Sequence, residues 1–195
     1  MRELKNVEER ILDRALYLFG KNGSTNVPIR TIVKEAGVNV SAINYYFGSK
    51  DRMLSYVQEF YINNILMAYE PLDNNELSDE EKLINCSNEI IEYSIRYPGV
   101  LVMNKEASNA EEKSEMDIKI INIINEANKK LDNVLRSVMK CNEEEFIYKR
   151  MIFLSSILHP FINETNEIFN EEILVNKNSR INYIKYIINT LKIKE

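Results

Sequence analysis

The chain has few of the residues that turns require, because its 195 residues include only five glycines and four prolines. Few turn residues, together with long stretches in which apolar side chains do not alternate, favour helices over strands. The sequence therefore predicts an all-α protein. Its length is enough for one sizeable core or for a small domain joined to a larger one.

Long apolar runs are also missing, and none approaches the roughly 20 residues that are needed to span a bilayer. The first ten residues, MRELKNVEER, are charged and lack the apolar segment of a signal peptide. The two cysteines, Cys86 and Cys141, lie far apart in the chain and are expected to be reduced thiols. These features predict a cytoplasmic protein with no membrane partner.

The residues that enzymes and metal sites need are scarce. His159 is the only histidine, and no Gly-rich segment surrounds a candidate nucleophilic serine. One histidine and two distant cysteines do not make a transition-metal site, and neither a P-loop nor a dinucleotide fingerprint is present. The sequence therefore predicts no enzyme activity, no cofactor and no metal.

Charge is spread unevenly along the chain, although the net charge is −5. Residues 1–58 hold nine Lys and Arg side chains against six Asp and Glu, whereas the remainder holds 16 against 24. A mildly basic end on an acidic body is typical of a DNA-reading domain attached to a partner domain.

Two short helices around a glycine are predicted within IRTIVKEAGVNVSAINYYFGSK, residues 29–50. An amphipathic first helix precedes them and ends at GKNG, where Gly20 and Gly23 are expected to adopt positive φ. Gly37 ends the second helix, and Val38 is expected to be buried behind it. The third helix is predicted to run from about Val40 to Phe47.

This pattern predicts a helix-turn-helix, whose second helix enters the major groove of DNA. Ile43 and Phe47 are expected to face inward, which leaves small or polar side chains on the outer face. Ser41, Ala42 and Asn44 are suited to base edges, and Tyr45, Tyr46 and Lys50 can reach phosphates. The alternative is a helical hairpin in which the tyrosines only cover a core.

The whole string IRTIVKEAGVNVSAINYYFGSKDRML, with ALYLFGKNG before it, resembles the N-terminal domain of the TetR (tetracycline-repressor) family over about residues 5–58. In this family Tyr46 and Lys50 correspond to phosphate contacts, and Tyr45 joins the base-reading face. Asn39 and Val40 depart from the pattern, because many members have a Ser and a cation there. The DNA-binding positions implied by the resemblance are Arg30, Val40, Ser41, Ala42, Asn44, Tyr45, Tyr46 and Lys50.

The resemblance implies two domains, a helix-turn-helix DNA-binding domain over residues 1–50 and a helical ligand-binding and dimerisation domain over residues 51–195. It also implies a homodimer in which the last two long helices of each chain form a four-helix bundle. The apolar stripe of the terminal helix is expected to contribute, unless it packs only on its own subunit. The expected interface residues are Leu154, Leu158, Ile181, Ile184, Ile188 and Leu191.

An effector site is expected between the fourth and eighth helices, where aromatic and methionine side chains are available. No strong cluster of cations is present there, which favours an apolar or aromatic effector over a polyanion. Each of these side chains also fits an ordinary core. The candidates are Tyr61, Tyr93, Tyr97, Met103, Met151, Phe153 and His159.

Together these features predict a dimeric transcriptional regulator, and a repressor is favoured over an activator. It is expected to bind a palindromic double-stranded operator and to be released by a small molecule. The alternative function is that of a helical interaction or architectural protein whose helix-turn-helix does not read DNA.

Overall fold

The computed structural model describes residues 6–158 and 175–192, and all regular structure in these ranges is helical. His159 therefore lies outside the described residues. A 3-10 helix, Glu70–Asp73, follows the fourth α-helix. The α-helices are α1 (Val7–Asn22), α2 (Ile29–Glu35), α3 (Ser41–Tyr46), α4 (Lys50–Tyr69), α5 (Asp79–Arg96), α6 (Gly99–Asn109), α7 (Glu115–Met139), α8 (Glu143–Leu158) and α9 (Lys177–Leu191).

The described residues form two compact units, and helices α4, α5 and α7 contribute to both. Unit 1 holds residues 6–64 and 96–123, and unit 2 holds residues 65–95, 124–158 and 175–192. No helix within the described ranges combines the length and the apolar character that crossing a membrane requires.

Helix α1 is capped at its N-terminus by a side chain and at its C-terminus by a glycine of the GKNG segment. The Asn6 side chain accepts a hydrogen bond from the backbone N–H of Glu9 at 2.8 Å, which caps the first turn. Gly23 ends the helix with φ of 65°. The apolar face is buried, and its fully or nearly fully buried residues include Ile11, Ala15, Leu16 and Phe19.

Gly20 has a different role from the predicted one. It lies within α1 and does not adopt positive φ. A Cβ atom at Gly20 would lie 2.0 Å from the backbone nitrogen of Gly99, and a Cβ at Gly99 would lie 2.1 Å from the Leu16 carbonyl oxygen. The two glycines therefore allow the backbones of α1 and α6 to touch, and this close approach is why neither position accepts a side chain.

A buried carboxylate joins α1 to the end of α5 within unit 1. The Asp13 side chain is fully buried and accepts hydrogen bonds from Arg96 Nη2 at 2.8 Å and from the Tyr97 hydroxyl at 2.7 Å. Arg14, the next residue in α1, donates to the other carboxylate oxygen at 2.5 Å. Two cations and a hydroxyl compensate the burial of this charge.

Unit 2 is built around α5, α7, α8 and α9. A capping box opens α5. The Ser78 N–H and hydroxyl both donate to the Glu81 carboxylate, and the Ser78 hydroxyl oxygen accepts from the Glu81 N–H. These bonds hold the pKa of Glu81 below its usual value. The core of this unit includes Leu83, Ile91, Leu131, Leu135, Phe146, Phe153, Ile184 and Ile188.

Candidate nucleic-acid interface

The turn between α2 and α3 depends on one glycine. Gly37 has φ of 64°, and the Val38 N–H donates to the Val33 carbonyl at 2.9 Å, so the chain reverses immediately after α2. Val33 and Ile43 are 3% and 2% exposed and hold the two helices to the core. Val38 is only half-buried, which corrects the prediction of full burial.

The outer face of α3 carries most of the predicted DNA-binding side chains. Ser41, Asn44, Tyr45 and Tyr46 are exposed, and Tyr45 reaches 82%. Ala42 is half-buried. The rings of Tyr45 and Tyr46 meet edge to face with centroids 4.8 Å apart, so each limits the movement of the other.

The other predicted contacts lie at the ends of the neighbouring helices. Arg30 is exposed in the first turn of α2, and Val40, which directly precedes α3, is 46% exposed. Lys50 is exposed as the first residue of α4. All eight predicted positions therefore lie on α3 or close to the termini of α2, α3 and α4.

Phe47 anchors the C-terminal end of α3 to the core, on the side opposite its outer face. Its side chain is 2% exposed, and its ring lies 5.5 Å from that of Tyr56 in α4. Gly48 then turns the chain with φ of 77°, and Ser49 caps α4 by accepting from the Arg52 N–H at 3.2 Å. Tyr46 and Lys50, on either side of this turn, consequently have fixed backbone positions.

Asn39 has a structural role that the sequence reasoning missed. Its side-chain oxygen accepts from the Ser41 N–H at 3.0 Å and from the Ser41 hydroxyl at 3.1 Å. This Asx-turn stabilises the start of α3, and the signal for it was an asparagine two residues before a serine. The residue that departs from the family pattern thus supports the helix that presents the outer face.

The comparison with known families agrees with this geometry. Residues 11–57 match the sequence model of the bacterial regulatory proteins, tetR family. The N-terminal part of this chain is therefore similar to the DNA-regulatory segment that TetR-family proteins share. The match includes most of α1, all of α2 and α3, and the first part of α4.

Two curated relatives are regulators with a helix-turn-helix. The chain is 30% identical over 90 residues to "Probable HTH-type transcriptional regulator YttP" of Bacillus subtilis. The aligned residues make up 45% of this chain and 44% of the relative. It is 43% identical over 44 residues to "HTH-type transcriptional regulator BetI" of Agrobacterium fabrum. That alignment covers 23% of this chain and 21% of the relative. The chain thus spans less than half the length of the curated relatives that it matches.

Solved structures extend the likeness to the whole fold. The TetR family transcriptional regulator PfmR from Thermus thermophilus has a TM-score of 0.63 and 19% identity, with 98% of this chain and 100% of that one covered. A TetR-like regulator from Rhodococcus has a TM-score of 0.62 and 13% identity, with 95% and 96% covered. At these identities the likeness shows the TetR fold alone.

The structure distributes the predicted effector-binding residues over both units. Tyr61, Tyr97 and Met103 are buried in unit 1, where the Tyr61 hydroxyl donates to the Asn104 side-chain oxygen. Phe153 is buried in the core of unit 2, and Met151 is 59% exposed. Three of these side chains thus belong to unit 1 and two belong to unit 2.

Tyr93 lines an open cavity of about 680 Å³ in unit 2. The wall includes Met67 and Leu77, but it also carries the carboxylates of Glu70 and Glu89. This lining is more polar and more acidic than the one expected for an apolar effector.

The apolar stripe of the terminal helix, which was expected to form the dimer interface, is largely buried within its own subunit. Ile184 and Ile188 are fully buried, and Leu191 is 7% exposed, in the core of their own subunit. The expectation that this stripe is surplus apolar surface is therefore wrong for these three residues. The other predicted interface residues, Ile181, Leu154 and Leu158, are half-buried.

Within the described part of the chain, α8 carries a row of exposed apolar side chains. Ile147, Tyr148, Met151 and Ile152 recur at helical spacing, and each is between 51% and 59% exposed. Helix α9 packs beside α8, with the Tyr183 hydroxyl donating to the Ser156 carbonyl at 2.8 Å. We call the four α8 residues the α8 face.

Proposed function

We propose that this protein is a transcriptional regulator of the TetR family, which binds a palindromic double-stranded operator as a homodimer. It is a repressor that a small molecule releases from the operator. The observation that carries the proposal is the exposed outer face of α3, held on buried Ile43 and Phe47 within the segment that matches the family. A short helix with small and polar outer side chains, held rigidly from behind, suits the major groove.

Two classes of DNA contact follow from the positions of the side chains. Tyr46 and Lys50, on either side of the turn at Gly48, are assigned to phosphates, which orient the domain without reading sequence. Asn44 and Tyr45 are assigned to base edges, because an asparagine amide offers a donor beside an acceptor. Arg30, Val40, Ser41 and Ala42 complete the proposed contact set.

The α8 face supports the dimer. Four neighbouring side chains that are each more than half exposed form an apolar surface larger than single scattered residues make. A second copy of the chain is the proposed occupant, because two-fold pairing places two reading helices on the two halves of a palindrome. We assign the interface to α8 and the adjacent exposed side of α9, with Leu154 and Leu158 at its edge.

The effector is proposed to be apolar or aromatic, and to act through α4. This helix begins at Lys50, directly after the turn that follows α3, and contains the buried Tyr61. A ligand that shifts α4 changes the separation of the two reading helices and thereby weakens operator binding. Linkage requires the operator to weaken effector binding by the same factor. The division of roles between residues 1–50 and 51–195 is part of this proposal.

A gel-shift titration tests the proposal with the DNA upstream of the protein's own gene and a scrambled duplex of equal composition. We expect tighter binding to the upstream DNA and an affinity that falls steeply with salt, because phosphate contacts release counterions. Lys50→Ala is expected to reduce the salt dependence, whereas Lys119→Ala, at an exposed position of α7, leaves it unchanged. Equal affinity for the two duplexes would contradict sequence-specific binding.

A further inference from the structure

Asn64, in α4, has a buried side-chain amide without a hydrogen-bond partner. Its side chain is 3% exposed, and among the described residues neither Oδ1 nor Nδ2 forms a hydrogen bond. The Ser87 hydroxyl is the other such group, but a serine can rotate onto the carbonyl one turn earlier in its own helix. An asparagine amide carries an acceptor and two donors, so its isolation needs a separate explanation.

Other buried polar groups in unit 1 are paired. Tyr61 lies one helical turn before Asn64, and its hydroxyl donates to Asn104. Asp13 accepts from Arg14, Arg96 and Tyr97. Buried polar groups in native proteins are normally satisfied, and an unpaired one raises the free energy of the folded state. The unpaired amide therefore raises the free energy of the described arrangement of α4. An arrangement in which the amide is paired would remove this cost.

A partner can reach Asn64 only if α4 or its neighbours move. Each of the two amide atoms has less than 1 Å² of accessible surface, so no water-sized space adjoins them. Asn64 lies on the helix that begins at Lys50. A displacement of this helix that pairs the amide would therefore also act at the turn that follows α3.

We propose that Asn64 recognises the polar group of the effector, and that this group is neutral and presents a hydrogen-bond donor beside an acceptor, as an amide, lactam or urea does. The inference rests on the effector-dependent function proposed above. A carboxylate offers only acceptors and leaves Oδ1 unpaired, whereas an ammonium offers only donors and leaves Nδ2 unpaired. The buried aromatic rings of Phe60 and Tyr61, one turn away, favour an apolar or aromatic body on the ligand.

The first test compares two substitutions on the same helix. Leucine has nearly the shape of asparagine, so Asn64→Leu removes the unpaired amide while it keeps the packing. We expect Asn64→Leu to raise the Tm of the ligand-free full chain, and Asn63→Leu, at an exposed position, to change it little. A lower Tm for Asn64→Leu would show that the amide is already satisfied and would overturn the inference.

The second test uses benzamide and ethylbenzene as probes, because they share a ring and differ in the amide. Benzamide is expected to raise the Tm of the wild type and of Asn63→Leu more than ethylbenzene does, and to lose this advantage in Asn64→Leu and Asn64→Ala. Equal shifts in the wild type, or an advantage that persists in both Asn64 variants, would overturn the inference. Operator binding by the ligand-free wild type is measured in parallel, since its absence would contradict the proposed function rather than the role of Asn64.

Discussion

Two glutamates on the α8 face should separate the proposed dimer. In Ile147→Glu with Met151→Glu, each replaced side chain is 59% exposed in the single subunit, so the charges cost the monomer little. Burying an Ile or Met fully is worth about 1.5–3 kcal/mol, so covering the exposed half of each contributes about 1 kcal/mol to the dimer. Two positions in two subunits give about 4 kcal/mol, and the dimer dissociation constant should rise roughly a thousandfold.

Sedimentation equilibrium over a range of concentrations measures this change directly. The matched control is Asn125→Glu with Asn133→Glu, which places two charges at exposed positions of α7 and should leave the dimer intact. Thermal unfolding followed by circular dichroism checks that both double variants remain folded. An unchanged dissociation constant for the α8 variant would place the interface elsewhere.

Three further predictions concern stability. Gly20→Ala should lower the free energy of unfolding by about 1–3 kcal/mol in denaturant titrations, because the new Cβ overlaps the backbone of Gly99. Asp13→Ala should cost about 3–5 kcal/mol by the same measurement, because it removes the buried carboxylate to which Arg14 and Arg96 are bound. Hydrogen bonds from Ser78 lower the folded-state pKa of Glu81. The stability that these bonds contribute is therefore present at pH values above the unfolded-state pKa of Glu81, and it is lost as the pH falls through the folded-state pKa. Ser78→Ala should remove that part of the pH dependence, and an unchanged profile of Tm against pH would contradict the assignment.

Local chemistry made the helix-turn-helix predictable. The apolar spacing placed Ile43 and Phe47 inward, and the turn at Gly37 requires a positive φ that glycine adopts without strain. Ser49 and the box of Ser78 with Glu81 are capping patterns that act within one turn of the chain. Each of these features depends on neighbours in sequence, which is why the sequence alone was sufficient.

Features that depend on distant contacts were not predictable in this way. An apolar stripe at helical spacing marks a buried face, but it does not say whether the covering surface belongs to the same subunit, and Ile184 and Ile188 proved to be internal. Helix α8 is apolar around much of its circumference, so its sequence does not separate the exposed Ile147 from the buried Phe153. Gly20 was mistaken for a helix end because its contact, Gly99, is remote in the chain.

Selection of binding sites from a library of random DNA duplexes tests whether α3 reads DNA sequence. We expect the full chain to enrich a palindromic site, with two half-sites read by the two copies of α3. In a panel of single-base variants of that site, Asn44→Ala should lose about 1–3 kcal/mol of discrimination at particular positions, while Tyr46→Phe weakens binding to all variants alike. Failure to enrich any site, or a uniform loss for Asn44→Ala, would contradict the assignment of α3 as the reading helix.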